Sequence, residues 1–245
     1  MNIKDLQSQW ERFAQTDPMW AILTVPGTRN NAWDPQAFFE TGEHQIHALL
    51  QWVREVSPIR HHGRALDFGC GMGRLTQAIA ANFEETIGVD ISQKMVELAA
   101  QHNRHGEARC RYVANQQPNL RLFDDATFDF VHSNITLQHI DPKISRGYLA
   151  EFCRILKPGG TLCFQLPDSY LPNRNPIRRW FRRKALAMFV AGHRLANKPV
   201  MEMHGIPEGE VRSILTANGV DVVAAREDDA AGPLWRSVEY IAVKR

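Results

Sequence analysis

The sequence predicts an α/β protein: a doubly wound, seven-stranded sheet with an antiparallel last strand, preceded by a helical N-terminal segment and carrying a helical insertion after the fifth strand. Three observations predict it. Short apolar runs alternate with helical patterns between residues 62 and 167; a glycine-rich turn, "GCGMG" (69–73), follows the first of those runs; and the alternation resumes after a basic stretch that ends near 204. A chain of 245 residues accommodates one such domain with its appendages.

Residues 1–60 are rich in aromatics (Trp10, Trp20, Trp33, Phe38, Phe39) and read as helical. "RALDFG" (64–69) is a short buried strand, and "RLTQAIAANF" (74–83) places Leu75, Ala78, Ile79, Asn82 and Phe83 at helical spacing. "ETIGVD" (85–90) is the second strand, after which Ser92 is a suitable N-cap for a helix marked by Met95, Leu98 and Ala99. "ARCRYVA" (108–114) and "TFDFVHS" (127–133) read as the third and fourth strands. "SRGYLAEFCRIL" (145–156) is a helix stopped by "KPGG", and "TLCFQLP" (161–167) is the fifth strand. Parallel strands joined by crossover helices give the doubly wound order. At the end of the chain, "PEGEVRSILTANG" is a helix closing at Gly219, followed by two strands, 220–227 and 234–245, expected to pair antiparallel.

Composition narrows the class. Hydrophobic content of 44% and charged content of 23% are near globular averages, which disfavours disorder and coiled coil. The start, "MNIKDLQSQW", lacks the layout of a signal peptide, and no apolar run approaches membrane-spanning length, so a cytoplasmic protein is expected. Cys70, Cys110, Cys153 and Cys163 form no C-x-x-C pair and no zinc spacing, so free thiols and no metal are expected.

A strand, a glycine turn and a helix N-terminus present unpaired backbone N–H groups above the strand ends, where open α/β sheets hold ligands. The glycines spell G-x-G-x-G, and Arg74 stands where a dinucleotide fingerprint needs a small residue; a Walker lysine is also missing. With "LDFGCGMGRLTQAIA", "TIGVDIS", "FDFVHSNITLQHI" and "LAEFCRILKPGGTLCFQLP" in register, the chain resembles the class I S-adenosylmethionine-dependent methyltransferases, small-molecule type, with their Rossmann-like sheet. The chain then divides, within one domain, into a helical cap (1–60), a cofactor-binding core (61–167), a basic helical lid (168–204) and a C-terminal helix and strands (205–245).

The resemblance implies S-adenosyl-L-methionine as cofactor and assigns its seat residue by residue. Asp67 helps fix the amino end of the methionine moiety, directly or through water. Gly69, Cys70, Gly71 and Gly73 lie under the methionine and ribose parts, the glycines allowing close backbone approach. Asp90, 21 residues after Gly69, accepts from both ribose hydroxyls, and Ile91 packs on the adenine. Asn115, where Asp is common in the family, and the Gln116 backbone serve the adenine edge. Ser133 and Asn134, ending the fourth strand, face the substrate side. His139 is the candidate base for an acceptor, with packing of its own loop as the alternative; His204 is a weaker second.

The implied reaction is transfer of a methyl group to an oxygen or nitrogen of a small-molecule acceptor, for which the protein mainly aligns the nucleophile and excludes water. "SNIT" is not the Pro-Pro-aromatic tetrad of enzymes acting on base amines, and no cysteine stands where cytosine C5 chemistry needs one, so nucleic acid is disfavoured as substrate. From 169 to 204 there are eight basic residues against one acidic, and "NPIRRWFRRKALAMFVAG" is amphipathic. A solvated lid, a patch attracting an anionic substrate, weak association with an anionic membrane, and RNA binding through 174–198 all remain open. Two other classes stand beside the enzyme: a cofactor-binding module without turnover, which intact glycines and Asp90 oppose, and a dinucleotide binder, which Arg74 opposes. No obligate protein partner is evident.

Overall fold

The computed structural model describes residues 2–171, 192 and 200–245. Three helices come first: α1 (Ile3–Thr16), capped by the Asn2 side chain, α2 (Pro18–Ile22), and α3 (Pro35–Val56), capped by Asp34. Strands and helices then alternate through β1 (Arg64–Phe68), α4 (Arg74–Ala80), β2 (Glu85–Asp90), α5 (Gln93–Gln101), β3 (Cys110–Ala114), β4 (Phe128–Ser133), α6 (Pro142–Ile155) and β5 (Leu156–Tyr170). The chain closes with α7 (Glu208–Ala217), β6 (Val220–Asp228) and β7 (Trp235–Lys244).

The seven strands lie in the order β3-β2-β1-β4-β5-β7-β6. β1 pairs parallel with β2 and β4, and β7 runs antiparallel between β5 and β6. The expected antiparallel pair is therefore present, with the last strand inserted next to β5. Helices cover both faces. Ile46, Leu49 and Val53 of α3 and Leu75 and Ile79 of α4 pack with Ala65 and Phe130. Tyr148, Leu149 and Phe152 of α6 and Val211 and Leu215 of α7 pack with Leu66, Val131 and Leu162. Parallel central strands buried on both faces explain why they read as continuous apolar runs.

Several boundaries differ from the sequence expectation. "KPGG" does not separate helix from strand: α6 passes directly into β5, and three extra residues are looped out where the register with β4 shifts from Phe128↔Leu156 to Phe130↔Thr161. Gly159 takes the left-handed conformation that this bulge requires (φ +74°). At its other end β5 runs on to Tyr170, paired with Trp235, so 168–170 belong to the sheet and not to an insertion. α6 begins at Pro142, because the Asp141 side chain caps it there, and not at Ser145. α4 ends at Ala80; Asn82 lies beyond it and turns its amide back onto the Ala78 carbonyl, while Phe83 stays in the core. The segment expected to form the amphipathic basic helix lies outside the described residues, and with it the lid, membrane, anionic-substrate and RNA readings of 174–198.

Candidate functional site

Strand order reverses direction of growth between β1 and β4, and an open α/β sheet leaves its crevice above such a point. The glycine turn fills the rim of that crevice. Gly69, Gly71 and Gly73 have φ of +77°, +52° and +81°, a backbone path that side-chain-bearing residues disfavour. The turn is tied to β2 by Gly69 N–H and Cys70 N–H, both donating to the Val89 carbonyl (2.7 and 3.0 Å), and closes on itself through Gly73 N–H to Cys70 O. The Cβ positions of the glycines are filled by protein. A methyl at 69 meets Thr136, one at 71 meets Ile22 Cδ1 of α2 at 2.6 Å, and one at 73 meets the Tyr112 hydroxyl. The small residues thus serve close packing of the turn against the loop after β4, the N-terminal cap and β3.

Asp90 ends β2 directly beneath this turn. One carboxylate oxygen accepts from Gly71 N–H (2.8 Å) and the other from Ser92 N–H (2.9 Å), leaving each oxygen a further lone pair. Burial pushes its pKa up to about 6 against those hydrogen bonds. Asp67 is buried deeper, accepting from Thr76 Oγ1 (2.6 Å) and from His132 Nδ1 (2.9 Å). Cys70 is buried in the turn, and burial, with Asp90 and Asp67 nearby, raises its thiol pKa well above the ordinary value.

Asp67, Gly69, Cys70, Gly71, Asp90, Ile91, Asn115 and Asn134 line one cavity, whose remaining walls include Trp10, Ile22, Ile135, Thr136, Ile140 and Tyr148. Three of the expected residues do not line it. Gly73 turns toward Tyr112, Gln116 is exposed, and Ser133 is fully buried with its hydroxyl on the Phe68 carbonyl (3.1 Å). Asn115 lines the cavity, but its amide donates to Asn119 O (2.7 Å) and its oxygen accepts from Gln117 N–H, so the side chain shapes its own loop. Asn134 is different: its buried Nδ2 has no partner among the described residues.

His139 also lies off the cavity. It ends a short 3₁₀ turn (Leu137–His139) and is 6% exposed. Nδ1 lies 2.8 Å from the Glu202 carbonyl, which only accepts, so Nδ1 carries the proton and Nε2 faces the Gln138 amide at 3.2 Å. Burial pulls its pKa down to about 4. Of the two roles open to it in sequence, loop packing is the one these contacts describe. His204 joins the same corner: its backbone N–H donates to Gln138 O (2.7 Å).

Sequence reasoning missed four contributors. Ile135 lines the cavity at φ +54°, an outlier for a β-branched residue, held by its N–H donating to Gln165 Oε1 (3.1 Å). Thr136 covers Gly69, and His132 completes the partners of Asp67. Arg74, read as an obstacle to a dinucleotide, is 3% exposed and reaches across to α3, donating to Thr41 Oγ1 (3.1 Å) and Gln45 Oε1 (2.9 Å). A histidine next to last in the buried strand FDFVHS was the one visible signal; the other three depend on contacts distant in sequence.

The donor set suits a nucleoside carrying an amino-acid tail: a carboxylate at the end of β2 with lone pairs free for a diol, backbone at a glycine turn, and an unpartnered buried amide at Asn134. Comparison with known proteins agrees. A methyltransferase-domain family matches residues 65–160. The chain is 27% identical over 177 residues to a ubiquinone biosynthesis O-methyltransferase of Bordetella avium, covering 71% of this chain and 65% of the relative. It is 30% identical over 160 residues to a trans-aconitate 2-methyltransferase of Streptomyces avermitilis, covering 63% and 56%. The matches span less than two thirds of the length of these relatives. In fold it resembles the magnesium protoporphyrin IX methyltransferase of Synechocystis PCC 6803 with bound SAH, at TM-score 0.63 and 15% identity over 98% of this chain and 100% of that one. Residues 65–160 thus carry a methyltransferase domain, and the fold is that of the class I S-adenosylmethionine-dependent methyltransferases.

Proposed function

We propose that this protein transfers a methyl group from S-adenosylmethionine to an oxygen or nitrogen of a small-molecule acceptor, with oxygen favoured by the O-methyltransferase among its relatives. What carries the reading is the convergence of the glycine turn, the Asp90 carboxylate and the unpartnered Asn134 amide on one cavity. The cofactor supplies an activated methyl on a sulfonium, itself a good leaving group.

The chain's residues divide the remaining work. Asp90, with a lone pair left on each oxygen, accepts from the ribose hydroxyls. Gly69, Cys70 and Gly71 offer backbone to the ribose and methionine parts, and Asp67, fixed by His132 and Thr76, sets the charge beneath them. Ile91 packs on the adenine, with the Asn115–Gln116 loop at its edge. Asn134 Nδ2 donates to an anionic oxygen entering the cavity. Ile135, Ile140 and Trp10 provide an apolar wall that keeps water from the reacting atoms. His139, neutral at pH 7 and bonded through both nitrogens, positions the 202–204 segment; an acceptor oxygen already ionised at neutral pH, a carboxylate or an acidic phenol, needs no base from it.

Calorimetry with S-adenosylhomocysteine and NAD, on wild type and Asp90→Ala, tests the seat: the homocysteine compound binds and the variant weakens it at least tenfold. Binding of NAD in its place overturns the reading, and an Asp90→Ala variant that binds as tightly as wild type overturns the ribose assignment. Mass-spectrometric detection of methyl transfer to a panel of carboxylates, phenols and amines then reads the acceptor class.

A further inference from the structure

A second cavity lies outside the methyltransferase site, between α3, α4 and the turn after α5. It is larger than the first, about 730 Å³, which is the size of a small-molecule pocket. Arg74 is the one lining residue that the two cavities share. Its floor is the outer face of α4, where Arg74 and Gln77 stand one turn apart.

Both floor residues are buried and carry a donor with nothing to donate to. Gln77 is 6% exposed; its oxygen accepts from Arg104 N–H (3.1 Å), but its Nε2 has no partner among the described residues. Arg74 gives its terminal nitrogens to Thr41 and Gln45, neutral acceptors both, and its Nε is left without one. A buried guanidinium that hydrogen-bonds no carboxylate, with Asp67 acting on it only through space, and a buried amide with an idle donor are costly unless an acceptor arrives.

The rim has the same sign. Arg54 makes no ion pair among the described residues. Arg104 sits over the Phe39 ring at 5.2 Å, with its nearest carboxylate, Glu43, at 3.9 Å across an exposed pair. His47, His62 and His105 complete the rim, and Glu43 is the lone acidic residue lining the cavity. Positive charge in a concave site raises the local concentration of anions. The walls between floor and rim are apolar: Phe39, Ile46, Leu50, Ile59 and Ala78.

We infer that this cavity is a second ligand site, for a small amphipathic anion whose apolar body packs on α3 and whose carboxylate or phosphate reaches the free donors of Arg74 and Gln77 between Arg54 and Arg104. Because Arg74 opens α4 immediately after the glycine turn, an occupant here touches the helix that carries the cofactor seat without entering that seat.

Phenyl phosphate and benzoate, titrated calorimetrically into the full chain saturated with S-adenosylhomocysteine, are the probes. At least one binds with one-to-one stoichiometry. Arg54→Gln, on the exposed rim, and Gln77→Leu, in the floor, each weaken it at least tenfold, while Arg178→Gln in the basic stretch leaves it within twofold of wild type. The cavity substitutions, rather than the homocysteine compound, assign the heat to this place, and circular dichroism verifies that each variant is folded. Absence of heat from both probes at millimolar concentration overturns the inference. So does binding that survives both cavity substitutions, or binding lost equally in Arg178→Gln.

Discussion

Replacing Asp90 by Asn separates what this carboxylate costs the free protein from what it does for a ligand. Its pKa rises from 3.8 to about 6 on folding because burial disfavours the charge. A raised acid binds its proton more tightly when folded, so the contribution of Asp90 to stability is greatest below pH 3.8 and is lost as pH climbs through 6. At about 1.4 kcal/mol per pKa unit, ionised Asp90 costs the fold about 3 kcal/mol near pH 8 and about 1 kcal/mol near pH 4.5. Asn carries no charge and loses only one acceptor for the Gly71 and Ser92 N–H groups, a penalty of about 1 kcal/mol that does not vary with pH. The stability of Asp90→Asn relative to wild type therefore moves in the variant's favour by about 2 kcal/mol between those two pH values. Urea unfolding of both proteins at each pH, followed by tryptophan fluorescence, measures the difference, and comparison at equal pH cancels every other titrating group. The same stability difference at both values refutes a carboxylate held charged against its surroundings. The variant also binds S-adenosylhomocysteine at least tenfold more weakly.

Three further outcomes follow from the geometry. Gly71→Ala puts a methyl on Ile22 at a φ of +52°, and strain plus overpacking destabilise by about 2–4 kcal/mol; adding Ile22→Ala recovers the steric part in chemical denaturation, and strictly additive losses would show that the two side chains do not meet. His139 stays neutral down to about pH 5, read from its ring carbons by NMR, because its pKa lies near 4; titration near 6.5 would remove the buried, doubly bonded ring from the account. Ile135→Gly relieves a left-handed backbone and alters stability by less than about 1 kcal/mol, whereas Gln165→Leu, which strips the bond to Ile135 N–H and those to Gln138 and Ser237, costs about 2 kcal/mol or more by thermal unfolding.

The alternation from β1 to β4 was legible because its signals are local. Ser92 caps α5 through Met95 N–H, and Leu75 and Ile79 face the core as their spacing implies. Asp90 was legible for the same reason: it ends a strand at a fixed distance from a glycine turn. What escaped depends on residues brought together from afar. "KPGG" carries every local mark of a helix stop and turn, and only pairing with β4 reveals it as a bulge within β5. His139 sits where a base would serve, and only the arrival of the Glu202 carbonyl, 63 residues on, shows that its proton is committed. Arg74 read as a mismatch until α3 supplied Thr41 and Gln45.

The same dependence explains why three glycines stand in five positions. A turn shaped only to approach a ligand would leave hollows on its ligand side; here each hollow is taken by a different element: Thr136 from the loop after β4, Ile22 from the N-terminal cap, and Tyr112 from β3. Two of these contacts bind parts of the site that the sheet does not itself hold. Thr136 brings the Asn134–Ile135 corner onto the turn, and Ile22 brings the cap, while Asp90 fastens the turn from below through Gly71 N–H. Any side chain on the turn would push one of these parts away, so the flexibility that glycine contributes to the unfolded chain is exchanged for convergence in the folded one. The cavity walls from β2, β4 and the cap then owe their alignment to one five-residue bend, and a disturbance at any of the three contacts reaches the other two through it.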